Sequence, residues 1–157
     1  MNSKRASDDI VQHREDTIVQ EIQIERPAEK IFEAMTNAGE LVKWWRVEGK
    51  FQIAHMESDL RPGGKWRMRL IGGRGTETVV SGEYRTIKRP HLLIFTWIRE
   101  TEDATETLVR WELAERDGVT TVRVMHSGLT TESLRNRNDG WPIILGLLQA
   151  YVEKTRW

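Results

Sequence analysis

The sequence predicts an α+β domain in which a curved antiparallel sheet wraps around a long C-terminal helix, in the chain order β-α-α-β6-α. Three observations carry this. Apolar residues recur at every second position through six segments between Phe51 and Gly128. The stretches between these segments, among them "RPGG", "GGRG", "KRP" and "RDG", are turn residues too few for a crossover helix, so neighbouring strands must run antiparallel. After them comes "GWPIILGLLQAYVE", where Trp141, Ile144, Leu145, Leu148, Tyr151 and Val152 share one helical stripe.

Each element has a local reason. "TIVQEIQI" at 17–24 alternates through Ile18, Ile22 and Ile24, which suggests a strand with one covered face. Pro27 then suits the first turn of a helix whose Ile31, Ala34 and Met35 share a face, and Asn37 to Gly39 break that period. Leu41, Trp44 and Trp45 repeat it in a second short helix. "FQIAHMESDL" reads as a strand with Phe51, Ile53 and His55 on one side, and Pro62 with Gly63 turns the chain. "KWRMRL" sets Trp66, Met68 and Leu70 against Lys65, Arg67 and Arg69, the pattern of a sheet half in the core and half in water. "TETVVSGEYRTI", "HLLIFTWIRE", "TLVRWELAE" and "TTVRVMHSG" complete the meander. Asn138 or Asp139 can cap the last helix, and Pro142 fits its first turn.

The totals exclude several functions. The 157 residues suffice for one domain with its own core, and are read as a flexible leader at 1–16 followed by a single domain at 17–157. There is no cysteine, so disulfides, thiolate catalysis and Cys-based zinc sites are absent and a cytoplasmic location is expected. Twenty-four Lys plus Arg balance twenty-four Asp plus Glu, which gives nucleic acid no electrostatic foothold. No apolar run is long enough for insertion in a membrane. Two strand histidines without a carboxylate at ligand spacing make a poor metal site, so neither metal nor other cofactor is expected. No GxSxG elbow, phosphate loop or apolar pair of carboxylates marks a catalytic residue. What stands out is seven tryptophans against three phenylalanines and two tyrosines, a bias that suits a lined pocket or an interaction surface.

"PAEKIFEAMTNAGELVKWW", "DLRPGGKWR", "GEYRTIKRPHLLIFTW" and "GW" with Leu145, Leu148 and Tyr151 after it carry a resemblance to the helix-grip, START-like superfamily, also called SRPBCC. The branch is that of the C-terminal domain of the heat-shock-protein-90 ATPase activator. The resemblance implies a helix-grip fold with an apolar cavity between sheet and helix, and a small hydrophobic or amphipathic molecule as partner. Strand parity and helix position name the side chains expected to meet it: Trp44, Trp45, Trp66, Met68, Tyr84, Phe95, Trp97, Trp111, Val124, His126, Trp141, Leu145 and Leu148. Ordinary core packing is the competing account of each. For His126 three roles compete, namely a satisfied core histidine, ligand recognition, and acid–base catalysis. A cyclase- or hydrolase-like enzyme in the same cavity and a chaperone-associated interaction domain are the alternative functions. Ile143 and Leu147 fall outside the last helix's apolar stripe and mark the face a homodimer would use.

Overall fold

The computed structural model describes residues 16–101 and 104–154. Alternating side chains become eight strands, β1 (Thr17–Ile24), β2 (Arg46–Val47), β3 (Phe51–Ser58), β4 (Lys65–Gly72), β5 (Glu77–Lys88), β6 (Leu92–Arg99), β7 (Thr107–Arg116) and β8 (Val119–Ser127). Between β1 and β2 lie the helices α1 (Ala28–Thr36) and α2 (Ala38–Trp44), and after β8 come α3 (Glu132–Arg137) and α4 (Trp141–Lys154). One antiparallel sheet runs β1-β8-β7-β6-β5-β4-β3-β2. The meander is therefore as expected, with β1 added beside the last strand. The two-residue β2 and the six-residue α3 were not foreseen. Only Leu134 of α3 is buried, so no apolar period announces it, although Thr131 caps it by accepting from the Leu134 amide at 3.1 Å. The proposed leader lies, as far as residue 15, outside the described residues.

The sheet curls because some of its residues forbid a flat ladder. At Gly82 a Cβ would stand 1.8 Å from the Thr96 carbonyl oxygen and 2.7 Å from Trp66 Nε1, so only glycine lets β5, β6 and the Trp66 indole come together. A bulge in β3 shifts the register between Ile53 and His55. The extra residue reverses the parity of the strand: His55, expected on the covered side with Phe51 and Ile53, is exposed beside Glu57 at 3.0 Å, and Met56 turns inward opposite Met68. The β3–β4 corner is fastened to β5 by paired backbone bonds, Gly63 N–H to the Tyr84 carbonyl and Tyr84 N–H to the Gly64 carbonyl, both 2.8 Å. Gly63 sits there at φ 82, which suits a residue without Cβ. The Asp59–Arg61 pair on this corner, 2.7 Å apart, is solvent-exposed and serves geometry rather than energy.

The helices close the concave side. Pro27 precedes α1 as its cap residue rather than entering its first turn, and the free amide of Ala28 is taken by the Glu115 carboxylate of β7 at 2.8 Å. Arg89, in the β5–β6 turn, grips α1 from outside through Glu29 at 2.6 Å and Glu33 at 2.8 Å, holding the Glu33 carboxyl below the usual carboxylate range. Asn37 caps α2 by accepting from the Glu40 amide at 3.1 Å. In α4 the stripe Trp141, Ile144, Leu145, Leu148 and Val152 is buried, as its spacing requires, with Tyr151 half-buried. Neither Asn138 nor Asp139 caps it by a side chain: Asn138 bonds back to the Leu134 carbonyl at 2.8 Å, and the first turn starts from the Gly140 carbonyl. Leu147 is half-buried against the core, and Ile143, 56% exposed, is the large apolar residue of the outer face.

Candidate functional site: an indole-lined cavity

Six tryptophans converge where the curled sheet meets α2 and α4. Trp44 and Trp45 come from α2 and its end, Trp66 from β4, Trp97 from β6, Trp111 from β7 and Trp141 from the start of α4. Trp141 is the hub, with ring centroids 5.6 Å from Trp97, 5.6 Å from Trp111 and 6.1 Å from Trp45. Trp66 meets Phe95 edge-on at 5.4 Å and Trp97 at 5.6 Å. Tilted and edge-to-face contacts of this kind contribute roughly 0.5–1.5 kcal/mol each beyond their buried area. They also pack bulky planar groups at angles that leave gaps.

One such gap is a cavity of about 50 Å³. Nine of the thirteen expected residues line it: Trp44, Trp45, Trp66, Met68, Tyr84, Phe95, Trp97, Trp111 and Trp141. Val124, His126, Leu145 and Leu148 are completely or almost completely buried but lie away from its wall. Met35, Leu41, Met56 and Leu93 complete the lining and were not anticipated. Leu93 shares the parity of Phe95 and Trp97 and was readable from β6; Met56 was hidden by the bulge. The hollow is small beside the roughly 300–1,000 Å³ of drug-sized ligand sites. It holds a few non-hydrogen atoms unless side chains move. Trp45, Trp97 and Met56 are the half-buried members of its wall, and Trp45 and Trp97 also line an outer cleft.

Polar groups in and behind the wall are mostly spoken for. Trp44 Nε1 donates to the Ala34 carbonyl at 2.8 Å. The Tyr84 hydroxyl lies 2.7 Å from Ser58 Oγ, and burial pushes its phenol above the ordinary value, so it stays neutral. Behind Trp141 runs a short relay. Trp141 Nε1, which can only donate, reaches His126 Nδ1 at 3.1 Å, so the imidazole carries its proton on Nε2. That nitrogen lies 2.7 Å from Thr107 Oγ1, which passes its own proton to the Trp97 carbonyl at 3.1 Å. Both imidazole nitrogens are thus occupied within the protein. Burial without a carboxylate nearby lowers the His126 pKa from 6.5 to about 4, which keeps the ring neutral at physiological pH. Trp66 Nε1, by contrast, is buried with no partner.

Beyond Trp97 the wall continues into an outer cleft of about 130 Å³ between Trp45, Trp97, Trp141, Ile144 and the α3–α4 junction, where Arg137, Asn138 and Gly140 contribute. A narrow recess of about 10 Å³ beside it adds Arg99, Thr107 and Leu134. Among the described residues no group of three His, Asp or Glu could hold a metal ion, and no helix is long and apolar enough to cross a membrane.

A curled antiparallel sheet gripping a terminal helix over an aromatic hollow defines a helix-grip domain of the SRPBCC superfamily. Residues 25–153 match the family described as Activator of Hsp90 ATPase homolog 1-like protein, and the chain belongs to that family. Solved structures agree on the fold. Protein CV1439 from Chromobacterium violaceum superposes with a TM-score of 0.80 at 22% identity, over 90% of this chain and 99% of that one. Protein NE0264 from Nitrosomonas europaea gives 0.76 at 18% identity, over 90% and 97%. CalU16 from Micromonospora echinospora gives 0.67 at 20% identity, over 88% and 76%. No curated protein matches the chain.

Proposed function

We propose that the protein binds a small hydrophobic or amphipathic molecule in the indole-lined cavity. The observation that carries this reading is the convergence of six tryptophans, three of them with an edge on the outer cleft, around a space that they do not fill. A domain needing only a core fills it with aliphatic side chains at crystal-like density; a ring of indoles around a gap suits a guest that is flat or flexible and apolar. Burial of the guest, at about 25 cal/mol per Å² of apolar area, supplies the affinity. Trp45, Trp97 and Met56 give way to admit it, since the closed space is too small for more than a few atoms.

Binding is supported over turnover by the lining itself. Tyr84 carries its one ionisable group, whereas acid–base chemistry calls for a proton donor and acceptor in reach of the same guest. His126 serves the site indirectly, by fixing the Trp141 ring. The chaperone-associated reading rests on the family's description alone.

The test is an isotope-edited titration that follows the tryptophan Nε1–H signals with 1-octanol as a neutral probe. Saturable shifts confined to Trp44, Trp45, Trp66, Trp97, Trp111 and Trp141, joined by a co-purified small molecule in native mass spectrometry, are expected. Indole signals that do not move at any soluble concentration of octanol would remove the reading.

A further inference from the structure

Arg99 ends β6 on the concave face, opposite the buried Val80 and two residues beyond Trp97. Leu93, Phe95, Trp97 and Arg99 thus form one inward row that runs from the cavity wall to the recess at the cleft. The guanidinium is half-buried, its Nε is shielded from solvent, and no hydrogen bond or ion pair reaches it among the described residues. This differs from most of the outward arginines. Arg67 pairs with Glu100, Arg69 with Glu77, Arg85 with Glu83, Arg89 with Glu29 and Glu33, and Arg110 with Glu112. Arg46 and Arg123 pair with no described residue either, but both stand exposed in water, whereas a partly desolvated cation without a counter-charge among the described residues is costly.

We propose that the guest is an anionic amphiphile, its carboxylate held by Arg99 at the cleft and its apolar body laid across Trp97 into the indole cavity. The proposal deepens the cavity-binding reading and rests on it. A planar carboxylate matches the guanidinium fork, and the recess beside Arg99 shares Trp97, Arg137 and Asn138 with the cleft. Arg99 and Trp97 are two residues apart on one strand, roughly 7 Å, a span that an eight-carbon chain covers. Asn138, on the same cleft, gives one amide hydrogen to the Leu134 carbonyl and has a second for the other carboxylate oxygen.

Octanoate and 1-octanol, alike in length and different in charge, separate the two readings on the full chain near neutral pH. Octanoate is expected to bind about tenfold or more tighter than octanol to the wild type, with both shifting the same indole signals. Arg99→Gln should bring octanoate down to the octanol level and leave octanol unchanged, its thermal midpoint serving as the check that it is folded. Equal affinities in the wild type would overturn the anionic assignment while cavity binding stands. An octanoate preference that survives in Arg99→Gln would overturn the role of Arg99. Failure of both probes to shift any indole would remove the cavity reading, and this one with it.

Discussion

His126 makes the stability of the domain respond to acid in a way that can be worked out from its surroundings. The imidazole is fully buried, accepts from Trp141 and donates to Thr107, so the folded state resists taking a second ring proton. In the unfolded chain the group titrates near 6.5, and in the fold near 4. Above pH 6.5 neither state is protonated and this residue adds no pH dependence; between 6.5 and 4 the unfolded state alone gains the proton, so stability falls as pH falls, levelling off below 4. From those two values, the loss between about pH 7.5 and about pH 5 is about 2 kcal/mol. For a domain of this size, that moves a urea midpoint by about 1 M. The comparison is His126→Gln, whose amide can both accept and donate but does not titrate. Urea unfolding followed by tryptophan emission at the two pH values should show the wild type losing about 2 kcal/mol more than the variant. Glu33 and Glu100, held below the usual range by Arg89 and Arg67, titrate alike in both proteins and cancel in the difference. Parallel pH dependences in wild type and variant would refute the placement of a neutral, sealed imidazole.

Two further substitutions test the packing. Gly146 has open space where a Cβ would stand and lies within α4, so Gly146→Ala should raise stability by up to about 1 kcal/mol, seen as a higher urea midpoint at unchanged slope; a fall would mean that the helix needs the glycine. Gly82→Ala meets the Thr96 carbonyl at 1.8 Å and should cost several kcal/mol or prevent folding, as read by circular dichroism; a near-native melting curve would contradict the close approach of β5 and β6.

Periodicity made most of this architecture readable because it records burial, and burial is what a sheet against a helix imposes. In β4 the alternation Trp66, Met68, Leu70 needed nothing beyond the pleat, and in α4 the stripe from Trp141 to Val152 followed from 3.6 residues per turn. His55 and Met56 were misplaced because a bulge changes parity without changing composition. The segment at α3 offers one buried leucine, too little for a pattern. For the cavity, residue type and face were legible but distance was not. Nothing in the spacing of Val124, His126, Leu145 and Leu148 says that the hollow stops short of them. Its size depends on the angles at which six indoles meet, which composition does not encode. Arg99 was legible in principle, as the next inward residue after Trp97, but that its shielded Nε meets no described residue appears only in the structure.

The pairing of β1 with β8 joins Thr17 to Ser127, and the hub indole follows still later at Trp141. On the ribosome, the first strand therefore emerges long before the neighbour that completes its hydrogen bonds, and the cluster of rings has no centre until α4 is outside the exit tunnel. Contacts between residues so far apart close slowly, because the intervening loop must be ordered first. Closure of the domain accordingly waits for α4, and a nascent chain stalled before Gly140 would present its unfinished apolar groove to whatever chaperone is at hand.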